Sequence, residues 1–236
     1  MLYVLEVNPR ASRTTPFVSK STNVPLAKIA AQLSVGQKLK NYNLPRWDSI
    51  NHVSIKEAVL PFNKFPAESI FLSPEMKSTG EVMGISENFG LSFYKATLSA
   101  GIKLPELGLV FISVNNEDKF KIISIARAFK ELGFNTVATE GTAKERIKNG
   151  MSAETVYKAG EGRPNIVDRI KNNEIDLVIN TPLGAQSRYD EEAIGKACIQ
   201  KSIMAITTLS AAEAVLYAIR TKNKIKVKSI QEYHSS

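Results

Sequence analysis

The sequence predicts an α/β protein: a parallel sheet of βα units over residues 102–236, preceded by an irregular α+β segment over residues 1–101. Three observations predict it. Apolar, β-branched runs alternate with helix-period runs through the second part, and such alternation means βα units on a parallel sheet. Gly133 and Gly150 stand where two of those helices must stop. Seven of the ten prolines fall in 1–101, which breaks that part into short pieces with too few paired elements for a whole domain.

In chain order, Leu2 to Val7 is apolar and β-branched except for Glu6, so it reads as a buried strand. Residues 24–39 read as one helix, with Pro25 near its first turn and Gly36 near its end. Residues 57–65 and 80–86 read as strands. Residues 87–102 read as a closing helix stopped at Gly101. The second part then runs strand 107–114, helix 116–133, strand 134–139, helix 142–150, short strand 153–158 and helix 164–173. Strand 175–181, a helix near 190–201, strand 203–207 and helix 210–222 follow, and "IKVKSI" closes. No internal repeat or low-complexity segment interrupts this order.

Composition excludes several classes. No run of about 18 apolar residues exists, so no membrane-spanning helix is expected. The N-terminus has no basic region ahead of its apolar run, so no signal peptide is expected. The single cysteine, Cys198, cannot form an internal disulfide, which favours a cytoplasmic setting; it lies in a helical pattern and reads as core. The net charge of +8 divides evenly between the two parts and forms no Lys/Arg cluster with interleaved aromatics. A nucleic-acid partner is therefore not expected, and small anions account for the positive balance equally well. His52 and His234 fall in loop and tail, so histidine acid–base chemistry is not expected.

Polar residues collect at the carboxyl ends of the predicted strands, where ligands bind in such sheets. They are Ser113 and Asn115, Thr139 and Thr142, Lys158, Asn180 and Thr181, and Thr207 and Thr208, with Lys119 one turn into the first helix. That edge suits a phosphate-bearing small molecule beside helix N-termini. Ser, Thr and Asn at such junctions also serve as caps, Thr142 among them. No paired carboxylate or Ser/His/Asp set accompanies them; Glu140 and Glu161 read equally as surface residues. At the N-terminus, Glu6 and Asn8 share one strand face and could offer hard oxygens to Mg²⁺, and Arg10 and Arg13 suit phosphate. The same spacing also describes a strand end with a charged rim.

"EVNPRASRTTPFVSK", "VLPFNKFP", "PEMKSTGEVMG" and "EGRPNIVDRIKN" together resemble the C-terminal part of the carbamoyl-phosphate synthase large chain, in register over the whole length. The resemblance implies that 1–101 is the end of the second ATP-grasp half, which makes carbamoyl phosphate from carbamate and ATP. It implies that 102–236 is a Rossmann-like, methylglyoxal-synthase-like allosteric domain. It assigns Mg²⁺ or Mn²⁺ around ATP to Glu6 and Asn8, and the phosphate region to Arg10 and Arg13. The rest of that ATP site lies upstream in the family, so the chain alone is expected not to catalyse the synthase reaction.

The family's effector site carries over onto Ser113, Lys119, Thr139, Thr142, Lys158 and Asn180, for uridine or inosine monophosphate. Glu57 and Thr207 match ornithine contacts of the family. Pro182 stands where some members have a ribose-contacting Thr, and Ala205 where ornithine-activated members have a Tyr. Implied partners are the remainder of the large chain and its glutamine amidotransferase small chain; implied pathways are pyrimidine and arginine biosynthesis. A methylglyoxal synthase-like lyase and a non-catalytic interaction module are the alternatives. The lyase is disfavoured because Arg163 stands where its catalytic Asp belongs.

Overall fold

Two short helices lead the chain, α1 (Thr14–Thr22) and α2 (Leu26–Ser34). An antiparallel pair follows, β1 (Val53–Val59) and β2 (Gly80–Ser86), with Val53 opposite Ser86 and Val59 opposite Gly80. The computed structural model describes residues 3–4, 7–46, 49–62, 64, 76–181 and 188–235. Helix α3 (Phe89–Ser99) starts where the Asn88 side chain accepts from the Leu91 amide at 3.0 Å, and it ends before Gly101 at φ +83°.

The second part alternates strand and helix: β3 (Leu109–Val114), α4 (Ile122–Glu131), β4 (Asn135–Ala138), α5 (Glu140–Lys148) and β5 (Glu154–Thr155). It continues with α6 (Ile166–Lys171), β6 (Leu177–Thr181), α7 (Arg188–Lys201), β7 (Met204–Ile206), α8 (Leu209–Thr221) and α9 (Ile230–His234). The five strands are parallel in the order β5-β4-β3-β6-β7. Strand order therefore reverses between β3 and β6, the switch point at which open α/β sheets leave a crevice.

Successive residues of β3 serve opposite faces, as the two-residue period of a strand requires. Val110 and Ile112 join Leu177, Ile122, Phe129 and Val215 in a core under α4 and α8. Phe111 joins Val178, Ile166, Ile170 and Ile194 in a second core under α6 and α7. Burial on both faces explains why β3 and β6 are almost continuously apolar. Cys198 is fully buried in the second core, and burial pushes its thiol up to about 12, consistent with packing and not with nucleophilic chemistry.

Several local expectations need correction. Of the expected buried N-terminal strand, Leu2, Leu5 and Glu6 lie outside the described residues, and Tyr3, Val4 and Val7 are exposed and belong to no described strand. The strand placed at 57–65 begins earlier, at Val53, because its register is set by β2. The helix placed over 24–39 stops at Ser34, where Gly36 takes φ +95°. Helices α1 and α9 were not anticipated.

The turn between α3 and β3 contains the expected boundary at 101/102, yet the two parts are not independent in packing. Helix α3 lies on the β1–β2 pair and also on α8, and its Phe93 and Tyr94 join the first core. No described helix is long and apolar enough to cross a membrane.

Candidate functional site

Six of the expected residues meet in one cavity of about 430 Å³ at the carboxyl edge of the sheet: Ser113, Lys119, Thr139, Thr142, Lys158 and Asn180. Ser113 comes from the end of β3 and Asn180 from β6, on the two sides of the switch point. Thr139 and Thr142 flank the start of α5. Lys158 follows β5 in the turn before α6.

The hydroxyls form a chain. Ser113 Oγ lies 3.2 Å from Thr139 Oγ1, and Thr139 Oγ1 donates to Thr142 Oγ1 at 3.4 Å. Thr142 Oγ1 also accepts from the Val114 amide at 3.2 Å. With its oxygen accepting two hydrogen bonds, Thr142 keeps its own proton to donate into the cavity. Thr139 and Thr142 are buried, so this edge is fixed by packing. The expected capping by Thr142 is corrected: Thr139 is the N-cap residue, without a side-chain cap bond, and Thr142 sits in the first turn holding Val114.

Lys119 is also placed differently from expectation. It stands in the turn before α4, not one turn inside the helix. The Asn115 side chain explains this: its Oδ1 accepts from the Glu117 and Asp118 amides at 2.9 and 3.1 Å, a local turn that postpones the helix. The turn brings the Lys119 ammonium over the first turn of α5, where a Cβ on Gly141 would come 3.3 Å from Nζ. An anion there would meet an ammonium, a hydroxyl donor and a helix N-terminus together. Lys158 Nζ lies 3.6 Å from Glu161 Oε1 and closes the outer rim; both are exposed. Glu140 is engaged by Lys144 at 2.7 Å, which holds its carboxyl below the usual glutamate range.

Two residues that sequence reasoning did not single out also line this cavity. Phe111 forms part of its floor, and Asp190 of α7 is a carboxylate on its wall. Asp190 carried no signal, since acidic residues are ordinary in a first helical turn.

Thr207 and Glu57 lie elsewhere. Thr207 lines a separate groove of about 830 Å³ between α4 and α8, with Thr208, Arg127 and Glu213. The groove shares Asn115 and Thr181 with the first cavity. Thr208 caps α8 by accepting from the Ala211 amide at 3.2 Å. Glu57 is on β1, half-buried, and burial raises its carboxyl above the ordinary value despite a bond from the Ala58 backbone.

At the N-terminal end, Glu6 lies outside the described residues. Asn8 is exposed, and its carbonyl accepts from the Arg10 amide at 2.8 Å. Arg10 is exposed and donates to the Ala11 carbonyl at 3.2 Å. Arg13 turns toward the segment before β2, with Nη2 at 2.6 Å from Met76 Sδ and 3.4 Å from the Ser78 carbonyl. Its Nη1 is buried without a hydrogen-bond partner among the described residues. The described residues hold no group of three His, Cys, Asp or Glu side chains suited to a metal. Pro182 lies outside the described residues, while Ala205 sits within β7.

Comparison with known proteins adds sequence relationships to this geometry. Residues 121–207 match the family of the MGS-like domain, and residues 1–42 match the carbamoyl-phosphate synthase L chain, ATP binding domain. The chain is 52% identical over 236 residues to a carbamoyl phosphate synthase large chain from Archaeoglobus fulgidus, covering 99% of this chain and 22% of that protein. It is 50% identical over 242 residues to one from Acidobacterium capsulatum, again covering 22% of it. It is 47% identical over 259 residues to a carbamoyl phosphate synthase large chain, C-terminal section, from Aquifex aeolicus, covering 48% of that protein. This chain thus spans about a fifth of the full-length relatives and about half of the Aquifex section. Among solved structures, a methylglyoxal synthase from Elizabethkingia anophelis aligns with 53% of this chain and 96% of its own, at 15% identity and a TM-score of 0.41.

Proposed function

We propose that the sheet edge of this chain, which is 47% identical over 99% of its length to a carbamoyl phosphate synthase large chain, C-terminal section, is the nucleotide-effector site of such an enzyme. The observation that carries the reading is the Ser113–Thr139–Thr142 hydroxyl chain with Lys119 poised over the start of α5. That set offers one ammonium, one oriented hydroxyl and helix amides to a phosphate, with Lys158 and Asn180 left for the sugar and base of uridine or inosine monophosphate. Thr207 and Glu57 occupy other surfaces, so an ornithine site would use the neighbouring groove and the hairpin, apart from the nucleotide cavity.

In the intact synthase, an ATP-dependent ligase, residues 1–101 would complete the carbamoyl-phosphate-forming half. Glu6 and Asn8 would hold Mg²⁺ or Mn²⁺, for which a carboxylate and an amide oxygen are suitable hard donors. Arg10 and Arg13 would lie at the ATP phosphates. The metal would neutralise phosphate charge; the chain's own residues would orient those phosphates. Partners in this reading are the remainder of the large chain and the glutamine amidotransferase small chain, in cytoplasmic pyrimidine and arginine biosynthesis. A lyase reading is disfavoured: among the described residues that line the cavity, Asp190 has no second carboxylate and no histidine beside it.

The test is thermal unfolding of the chain with uridine monophosphate, inosine monophosphate, ornithine or inorganic phosphate at millimolar concentration. A ligand at 100 times its Kd stabilises by about 2.7 kcal/mol. A rise with one nucleotide supports the reading and names the effector. No rise with any ligand, in this chain and in the assembled large chain alike, would refute it.

A further inference from the structure

Arg146 is the largest side chain in the fully buried set, with no exposed surface. Its Nη2 donates to Thr136 Oγ1 at 2.5 Å and to the Ser152 carbonyl at 3.2 Å. Its Nε and Nη1 are buried with no hydrogen-bond partner among the described residues. No described carboxylate pairs with it, and the acidic residues around it are committed elsewhere. Glu140 pairs with Lys144 at 2.7 Å, Glu145 accepts from Asn149 Nδ2 at 3.1 Å, and Glu154 holds Arg169 at 2.6 Å. The carbonyl end of α5 gives some compensation. A buried cation without a counter-ion is otherwise a costly feature, and an apolar side chain of similar length often does better.

The position of this charge is not arbitrary. Arg146 lies four residues after Thr142 on α5, hence one turn further along the same helix face. Its anchor Thr136 is three residues before Thr139 on β4, about 10 Å along the strand. The phosphate-holding turn and the unpaired guanidinium therefore stand at the two ends of one short helix–strand unit. Buried groups carry charge interactions through protein, where screening by water and salt is weak.

We propose that Arg146 is a positioning residue for the effector cavity: fixed on Thr136 of β4, it supplies a positive field, matched by no described carboxylate, that raises affinity for the ligand's phosphate. The inference rests on the nucleotide reading above. A unit charge at about 10 Å, with an effective dielectric constant of about 20, corresponds to about tenfold in affinity for a singly charged anion.

Calorimetric titration of inorganic phosphate and uridine monophosphate into wild type, Arg146→Met and Arg146→Lys tests it, alongside thermal unfolding of each. The expected result is binding about tenfold weaker in Arg146→Met for both anions, largely restored in Arg146→Lys. Arg146→Met is expected to unfold at higher temperature, a direction opposite to its binding defect. A merely structural residue would not separate the two. Equal affinity in wild type and Arg146→Met would overturn the Arg146 proposal and leave the nucleotide reading standing. No binding by wild type would overturn both. Should Arg146→Met fail to fold, Arg146→Lys against Arg146→Gln makes the same comparison, and equal affinities there would overturn it.

Discussion

The Lys95 ammonium donates to the Tyr233 hydroxyl at 2.9 Å, joining α3 to a helix 138 residues later in the chain. The same ammonium donates to the Ile85 carbonyl at 2.9 Å, so one side chain fastens the end of β2 as well. His52 meets the Tyr233 ring edge-on at 5.8 Å and the His234 ring at 5.3 Å. Both imidazoles donate to carbonyls of the last turn of α1, His52 to Ser21 at 2.8 Å and His234 to Lys20 at 2.7 Å. The C-terminal helix is therefore tied to the beginning of the chain, and the two histidines act in structure.

Removing that tie should cost stability. Hydrogen bonds to a charged group contribute about 1.5–3 kcal/mol, so Lys95→Met should lower unfolding free energy by about that amount. Tyr233→Phe, which leaves the ammonium its bond to Ile85, should cost about 1 kcal/mol. Urea unfolding of both variants decides it. Midpoints equal to wild type would mean that α9 is not fastened through Lys95.

Lys119→Ala should weaken phosphate and nucleotide monophosphate binding by about 1.5–3 kcal/mol, the range for bonds to charged groups. Stability without ligand should be unchanged, because no described carboxylate pairs with Lys119. An unchanged Kd by titration calorimetry would remove Lys119 from the site.

Asn165 caps α6 by accepting from the Val167 and Asp168 amides, and its Nδ2 donates to the Ala159 and Gly162 carbonyls at 3.1 Å. It thus holds both the helix and the turn that carries Lys158. Asn165→Ala should cost about 1–2 kcal/mol, at the upper end for a lost N-cap. Nucleotide affinity should fall with it while Lys119 is untouched. A variant as stable as wild type in denaturant would contradict this role.

Glu57 should show itself in the pH dependence of stability. Burial raises its folded-state value above that of the unfolded chain. Its contribution is then fully present below the unfolded value and is lost as pH rises through the raised folded value. Glu57→Gln cannot ionise, so it should unfold a few degrees above wild type at neutral pH and level with it in acid. Parallel curves for the two proteins across that span would show that Glu57 is as well solvated folded as unfolded.

The second part was legible because each βα unit carries redundant signals. Val110–Ile112 is apolar on both faces, and Gly133 and Gly150 end their helices. The cavity was legible as a set of strand ends, since the switch point follows from topology. Lys119 was misplaced by a turn because the Asn115 side chain competes with the backbone for the helix start. Helix α1 was missed because its sequence, TTPFVSKST, has low helix propensity and no buried residue; packing against α2 supports it. Arg146 reads as a solvated charge in "TAKERIKNG", and nothing in its spacing reveals that it faces inward.

Two glycines set the fit of α3. A Cβ on Gly84 of β2 would collide with the Ser92 carbonyl and the Ala96 amide of α3, and one on Gly90 of α3 would come within 2.6 Å of the Tyr217 carbonyl of α8. Backbone thus touches backbone on both sides of the helix. At these two points the glycine offers no side chain that could change rotamer and absorb a displacement. Enlarging either glycine would therefore have to shift whole elements, α3 away from β2 or away from α8, and not merely a rotamer.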